Sequence, residues 1–144
     1  MVRLRVVVLA LVLFGCTTYR DQLARGQHAF EGNDHDRTLA VLRDLEPDVG
    51  RLEPQDQASY AYLRGMTDYQ VGYQRDARHW LSLARALEDA SPGLLPADWK
   101  VRTTAALTEL DAIVRTKGTS GLGTERRSGD EVRVPPAGPD AGPS

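Results

Sequence analysis

Between residues 60 and 87 the chain reads YAYLRGMTDYQVGYQRDARHWLSLARAL, a stretch best satisfied by two helices joined at Val71-Gly72-Tyr73. Before that turn Tyr62, Met66, Tyr69 and Tyr73 recur at intervals of four, three and four, which stacks them on one helical face. After it Ala77, Trp80, Leu81, Ala84 and Leu87 form a second apolar stripe at helical spacing. Gly65 in the first helix, and Ala77 and Ala84 in the second, let two antiparallel backbones approach closely. Glycine inside a helix costs about 1 kcal/mol relative to alanine, so Gly65 needs a packing reason to be there.

The same pattern occurs once before, in a weaker form. Leu23, Gly26, Phe30, Asn33, Thr38, Leu42 and Leu45 each stand 39 residues ahead of Tyr62, Gly65, Tyr69, Gly72, Ala77, Leu81 and Ala84. Independent helices have no reason to share a register, so the fixed offset marks a duplication. Asn33 replaces the turn glycine and tolerates the positive φ such a turn needs. Thr38 replaces a small alanine and is expected to pack less closely. Pro47 follows the last apolar residue of the copy as a stop signal, and a polar loop bounded by Pro47 and Pro54 should join the two units.

On Tyr62, Leu63, Gly65, Tyr69, Gly72, Ala77, Leu81 and Ala84 the chain resembles the tetratricopeptide repeat family, whose pattern runs aromatic, Leu, Gly, aromatic, Gly, Ala, bulky apolar, Ala. The resemblance covers residues 18–47 and 55–90. It implies an all-α fold of two antiparallel helical hairpins and an interaction module, without naming a partner. The period of 39 exceeds the family's usual 34 by about the length of the proline-bounded loop.

The first sixteen residues, MVRLRVVVLALVLFGC, have the layout of a secretory signal over 1–15 followed by Cys16. Arg3 and Arg5 supply the positive start, and Val6 to Phe14 the apolar run, far short of the roughly 20 residues a spanning helix needs. Leu13-Phe14-Gly15-Cys16 resembles the bacterial lipobox, with Phe14 where a small residue is usual. The resemblance implies cleavage before Cys16 and its acylation, including palmitate. Three acyl chains anchor stably, since each buried methylene contributes about 0.8 kcal/mol. Thr17 after the cysteine implies, by resemblance to lipoprotein sorting in enterobacteria, the outer membrane, facing the periplasm.

Asp89-Ala90-Ser91-Pro92-Gly93 breaks the second unit, and a further helix is expected over 97–115 with Trp99, Val101, Leu107, Leu110, Ile113 and Val114 as its apolar members. Each unit of a repeat array leaves a face uncovered, so this helix reads as a cap. Residues 117–144 hold six of the 13 glycines and four of the eight prolines. They are expected to form a tail with too little apolar surface to offset ordering entropy.

The chemistry-bearing residues are sparse. With 18 basic against 20 acidic residues the charge favours neither nucleic acid nor an anionic surface. The sole cysteine, Cys16, excludes an intramolecular disulfide, and no nucleophile motif, phosphate loop or paired-carboxylate site stands out. His28, His35 and His79 are not spaced as metal ligands, so no cofactor, metal or small-molecule substrate is expected.

The expected function is therefore a non-enzymatic, membrane-anchored adaptor of the bacterial envelope with a protein or peptide partner. A structural lipoprotein that associates with itself or with the cell wall is the alternative. In the family, partner segments lie on the faces of successive first helices. Here those faces carry Leu23, Gln27, Phe30 and Glu31, then Tyr62, Met66, Tyr69 and Gln70, which form either a partner groove or core. Tyr69 and Gln70 are the leading candidates because they precede the turn.

Overall fold

The computed structural model describes residues 18–123, so the signal-like segment with Cys16 and everything from residue 124 lie outside the described residues. Within that range the protein is all-helical, with no strand. Helix α1 runs over 18–31 and α2 over His35–Leu45. A 3₁₀ turn over Glu46–Arg51 then leads into α3, Pro54–Val71, and α4, Gln74–Ala90. Helix α5 spans Ala97–Lys117, and a 3₁₀ turn over Thr119–Leu122 folds back on it.

The turns after α1 and α3 are built alike. Asn33 takes φ 56° and Gly72 φ 90°, the left-handed conformation that closes a helix and that asparagine tolerates better than most residues. Asn33 N–H donates to the Phe30 carbonyl at 3.0 Å and Asp34 N–H to that of Ala29 at 3.0 Å. Thirty-nine residues on, Gly72 N–H donates to Tyr69 at 3.3 Å and Tyr73 N–H to Asp68 at 2.8 Å. Each pair of bonds satisfies carbonyls that a helix end would otherwise leave open. Asp34 also caps α2, its carboxylate accepting from Arg37 N–H at 3.1 Å.

The glycines are where the helices touch. A β-carbon on Gly26 would lie 2.8 Å from Leu42 Cδ2, and one on Gly65 would lie 2.7 Å from Leu81 Cγ. Both are closer than real atoms approach; α3 meets α4 at a distance only glycine allows, while at Gly26 it is the Leu42 side chain that fills the space. Thr38 and Ala77, equivalent by register, are both fully buried. Thr38 is buried as fully as alanine, its hydroxyl donating to the Asp34 carbonyl at 2.7 Å.

Helix α3 is the centre of the molecule. Every residue from Tyr60 to Asp68 is buried, so this helix has no solvent face over about two and a half turns. It is covered by α2, α4 and α5, with Phe30 of α1 set edge-on against Tyr62 at 6.1 Å. Tyr62 in turn stacks on Trp99 of α5, rings 4.1 Å apart and 11° from parallel. Tyr60 sits edge-on to Trp80 at 5.3 Å and donates its hydroxyl to the Leu42 carbonyl at 2.9 Å.

Two boundaries differ from expectation. The segment expected as an open loop from Pro47 is a 3₁₀ turn, because Pro47 preorganises its first residues and Val49 and Leu52 pack against the core. Residues 117–122, expected to belong to the tail, are helix end and turn instead. Helix α5 continues to Lys117, and the following turn buries Leu122 to 6% exposure while Gly121 lies against Lys117 and Ile113. One leucine in a glycine-rich stretch suffices to fold it back.

The glycine contacts differ in kind, and this fixes two expected outcomes. Next to Gly26 only side-chain atoms of Leu42 and Val41 stand in the way, whereas Gly65 also faces the Leu81 backbone nitrogen at 2.9 Å. Overpacking costs about 1–3 kcal/mol, against a helix-propensity gain of about 1 kcal/mol for alanine. Gly65→Ala should therefore destabilise the protein, and by more than Gly26→Ala, in urea unfolding followed by circular dichroism; a stabilised Gly65→Ala would refute the close approach. Leu122→Ala should cost about 2 kcal/mol in the same assay if the final turn belongs to the folded unit.

Candidate functional site

Of the eight residues expected on a partner groove, three are core. Leu23, Tyr62 and Met66 are buried at 5%, 0% and 8% exposure, which overturns the open first-helix groove at those positions. At Tyr62 the cause is α5, which packs against α3 and stacks Trp99 on the ring. Tyr69 is half-buried, and its hydroxyl donates to the Glu109 carboxylate of α5. That carboxylate also raises the Tyr69 pKa, because it accepts the phenolic proton. Phe30 is half-buried against Tyr62, while the half-buried Gln27 donates to Glu31 at 2.9 Å. Glu31 and Gln70 are exposed. The face is thus divided: aromatic rings go inward, and the polar members sit at its rim.

The interior holds a charged cluster that the apolar periodicity did not reveal. Arg64, 4% exposed, donates from Nε to Asp68 Oδ2 at 3.0 Å and from Nη1 to Glu46 Oε2 at 2.9 Å. Its guanidinium lies 5.6 Å from the Trp80 ring centre. Asp68 is fully buried, and its second oxygen, Oδ1, has no hydrogen-bond partner. Burial pushes the Asp68 pKa up to about 6, against the pull of Arg64. The Arg64–Asp68 spacing of four residues was the available sequence signal, since it places both on one helix face.

A second carboxylate organises the connection from α4 to α5. Glu88 accepts from the backbone N–H groups of Gly93 at 2.9 Å and Leu95 at 2.8 Å, and from Lys100 Nζ at 3.1 Å. Those backbone donors hold its pKa down, to about 2. The clamp fixes the loop that delivers Leu95 and Trp99 to the core.

Two clefts open on the surface of the second helices, α2 and α4. One, of about 290 Å³, lies between Asp36, Leu39, Ala40 and Arg43 of α2 and Val71 and Tyr73 where α3 passes into α4. The other, of about 460 Å³, lies between Arg75, Arg78, His79 and Ser82 of α4 and Thr119 and Leu122 beyond α5. Residues 36, 39, 40 and 43 are the partners, at an offset of 39, of 75, 78, 79 and 82. One wall of the cleft is thus made twice, while the opposite walls, Val71 and Tyr73 in the first and Thr119 and Leu122 in the second, are not equivalent by register. The first is mostly apolar, with Arg43 set 6.0 Å from the Tyr73 ring centre. The second carries the guanidinium groups of Arg75 and Arg78 and the His79 imidazole; Arg75 shares the first turn of α4 with Asp76, and Arg78 is paired with Asp111 at 2.8 Å. Sequence periodicity missed this surface because it selects apolar stripes, and these residues lie off them. Among the described residues no group of three His, Cys, Asp or Glu is placed to hold a metal ion, and no helix is long and apolar enough to cross a membrane.

The two carboxylates act on stability in adjacent pH windows with opposite sign. Glu88 has its folded pKa below the ordinary value of 4.5, so its contribution is present above 4.5 and is lost as pH falls toward about 2. Asp68 has its folded pKa above the ordinary value of 3.8, so its contribution is full below 3.8 and is lost as pH rises through about 6. Glu88→Gln should remove part of the acid-side loss in melting curves taken from pH 5 to pH 2. Asp68→Asn should flatten the decline between pH 4 and pH 6.5; an unchanged profile in either variant would contradict that assignment.

Comparison with protein-family models, with curated proteins and with solved structures finds no match to this chain.

Proposed function

We propose that this protein is a non-catalytic, membrane-anchored adaptor of the bacterial cell envelope that engages a protein or peptide partner and supports the assembly of an envelope complex. In this reading α1–α2 and α3–α4 are two tetratricopeptide-like repeats, α5 is the cap on the second, and Cys16 carries the acyl anchor. The observation that carries it is the duplication in three dimensions. The same glycine-on-leucine contact and the same pair of turn hydrogen bonds recur at an offset of 39 residues, and so do the four residues that form one wall of a cleft. Repetition of that kind makes an extended surface out of equivalent subsites, which suits recognition of a chain better than turnover of a small molecule. The signal-like run ending in the only cysteine of the sequence supports the anchor.

The anchor is tested by replacing Cys16. The wild-type protein should incorporate labelled palmitate and sediment with outer membranes, and Cys16→Ser should do neither. A wild-type protein that fractionates as soluble and takes up no label would end the lipoprotein reading. Self-association of the full chain in detergent micelles, measured by light scattering, separates the adaptor from a structural oligomer: a stable oligomer that buries the α2 and α4 clefts would favour the latter.

A further inference from the structure

Helix α1 starts two residues after Cys16, and its first turn is already fixed to the rest of the fold. Tyr19 packs against the core, and its hydroxyl accepts from Arg51 Nη1 at 2.9 Å. Arg20 pairs with Asp56 of α3 at 3.4 Å. Three residues of chain span at most about 10 Å, so an acylated Cys16 stands no farther than that from the Tyr19 backbone. The headgroup layer of one leaflet is itself about 5–8 Å deep, and acyl chains lie beneath it. Crossing the headgroups therefore uses up the available chain, with almost nothing left to act as a linker.

We propose that one end of the domain, formed by the start of α1, the 3₁₀ turn over Glu46–Arg51 and the start of α3, rests on the phospholipid headgroups. The opposite end, with the turns at Asn33 and Gly72, then points away from the bilayer. This proposal rests on the acylation of Cys16 and adds how the anchored domain is oriented. The contact is imposed by the short tether and needs no net basic charge. Its surface offers both signs. Arg20 and Arg51 are exposed, whereas their partners Asp56 and Asp48 are half-buried, so the guanidinium is the outer member of each pair. Exposed Asp21 and Glu53 stand in the same segments. Such a surface suits a zwitterionic headgroup, whose phosphate and ammonium can each find a partner. The exposed large apolar side chains, Val71, Leu83 and Val101, lie at the far end of α3 and on α4 and α5. Helix α1 thus has no apolar face on which to lie flat in the interface.

The test uses the full chain, acylated in cells and reconstituted into vesicles of phosphatidylethanolamine and phosphatidylcholine. With Cys16 acylated, a single added cysteine carries a fluorophore. Gly50 suits that purpose, because it is exposed and a β-carbon there meets no atom within 4 Å. The exposed Gln70 marks the other end of α3. Gly50→Cys and Gln70→Cys should both keep the helical circular dichroism. A lipid with a nitroxide on its headgroup should quench the label at 50 at least threefold more than the label at 70, since about 25 Å of helix separates them. The difference should persist in high salt, because a covalent tether rather than charge sets the distance. Inserting about ten glycine and serine residues between Thr17 and Thr18 adds a mean reach of about 17 Å, and should lower quenching at 50 to the level at 70. Equal quenching at both positions before the insertion would mean a domain lying on its side, and would overturn the proposal. Quenching at neither would overturn it too, as would quenching at 50 that survives the insertion or vanishes in salt. Palmitate labelling and sedimentation are read on the same samples. A protein that labels and sediments but fails the quenching arms loses this orientation alone, whereas one that takes up no label loses the anchor and the orientation with it.

Discussion

Everything in this fold depends on how closely the paired helices approach. At Gly26 and Gly65 the neighbouring leucine occupies the space a β-carbon would need. At Gly65 the Leu81 backbone nitrogen closes in as well, so α3 and α4 are in near backbone contact and the turn between them has to be tight. Asn33 and Gly72 answer that demand with the same left-handed conformation. Contact, turn and register are therefore one constraint met twice, and the helices have little freedom to slide.

The cost of such close packing appears in α3. A helix with neighbours on all sides cannot point its polar residues at water, so Arg64 and Asp68 must satisfy one another inside. Glu46 reaches Arg64 from the end of α2, which ties the first helical pair to the second through charge as well as through apolar contact. A buried pair of this kind is weak support for stability but a sharp specifier of arrangement, because any shift leaves a charge without its partner. The Glu88 clamp does similar work for the last helix, using backbone donors that exist only in one loop conformation.

The helices were legible in the sequence because their apolar stripes have the right period and their turns carry glycine or asparagine. The offset of 39 residues was legible too, and it reappears in contacts that periodicity alone does not describe. What the sequence obscured was the fate of the aromatic face. A stripe of Tyr62, Met66 and Tyr69 reads the same whether it meets a partner or α5, since both offer apolar surface. The single Leu122 was hidden among glycines whose composition argued for a loose tail. The clefts on α2 and α4 were hidden for the opposite reason: they are lined by charged and small residues that look like an ordinary solvated helix face until the turn is folded beside them.

The complete burial of α3 has a consequence for how this protein can change over evolutionary time. Positions 60 to 68 face other parts of the protein in every direction, so a substitution at any of them is felt by the fold before it is felt by a partner. The outer rows of α2 and α4 are free of that coupling. Residues such as Asp36, Ala40, Arg75 and His79 can drift, reverse charge or coarsen without disturbing the glycine contacts beneath. Descendants should therefore share a nearly frozen central helix and differ most on the rows that flank the clefts.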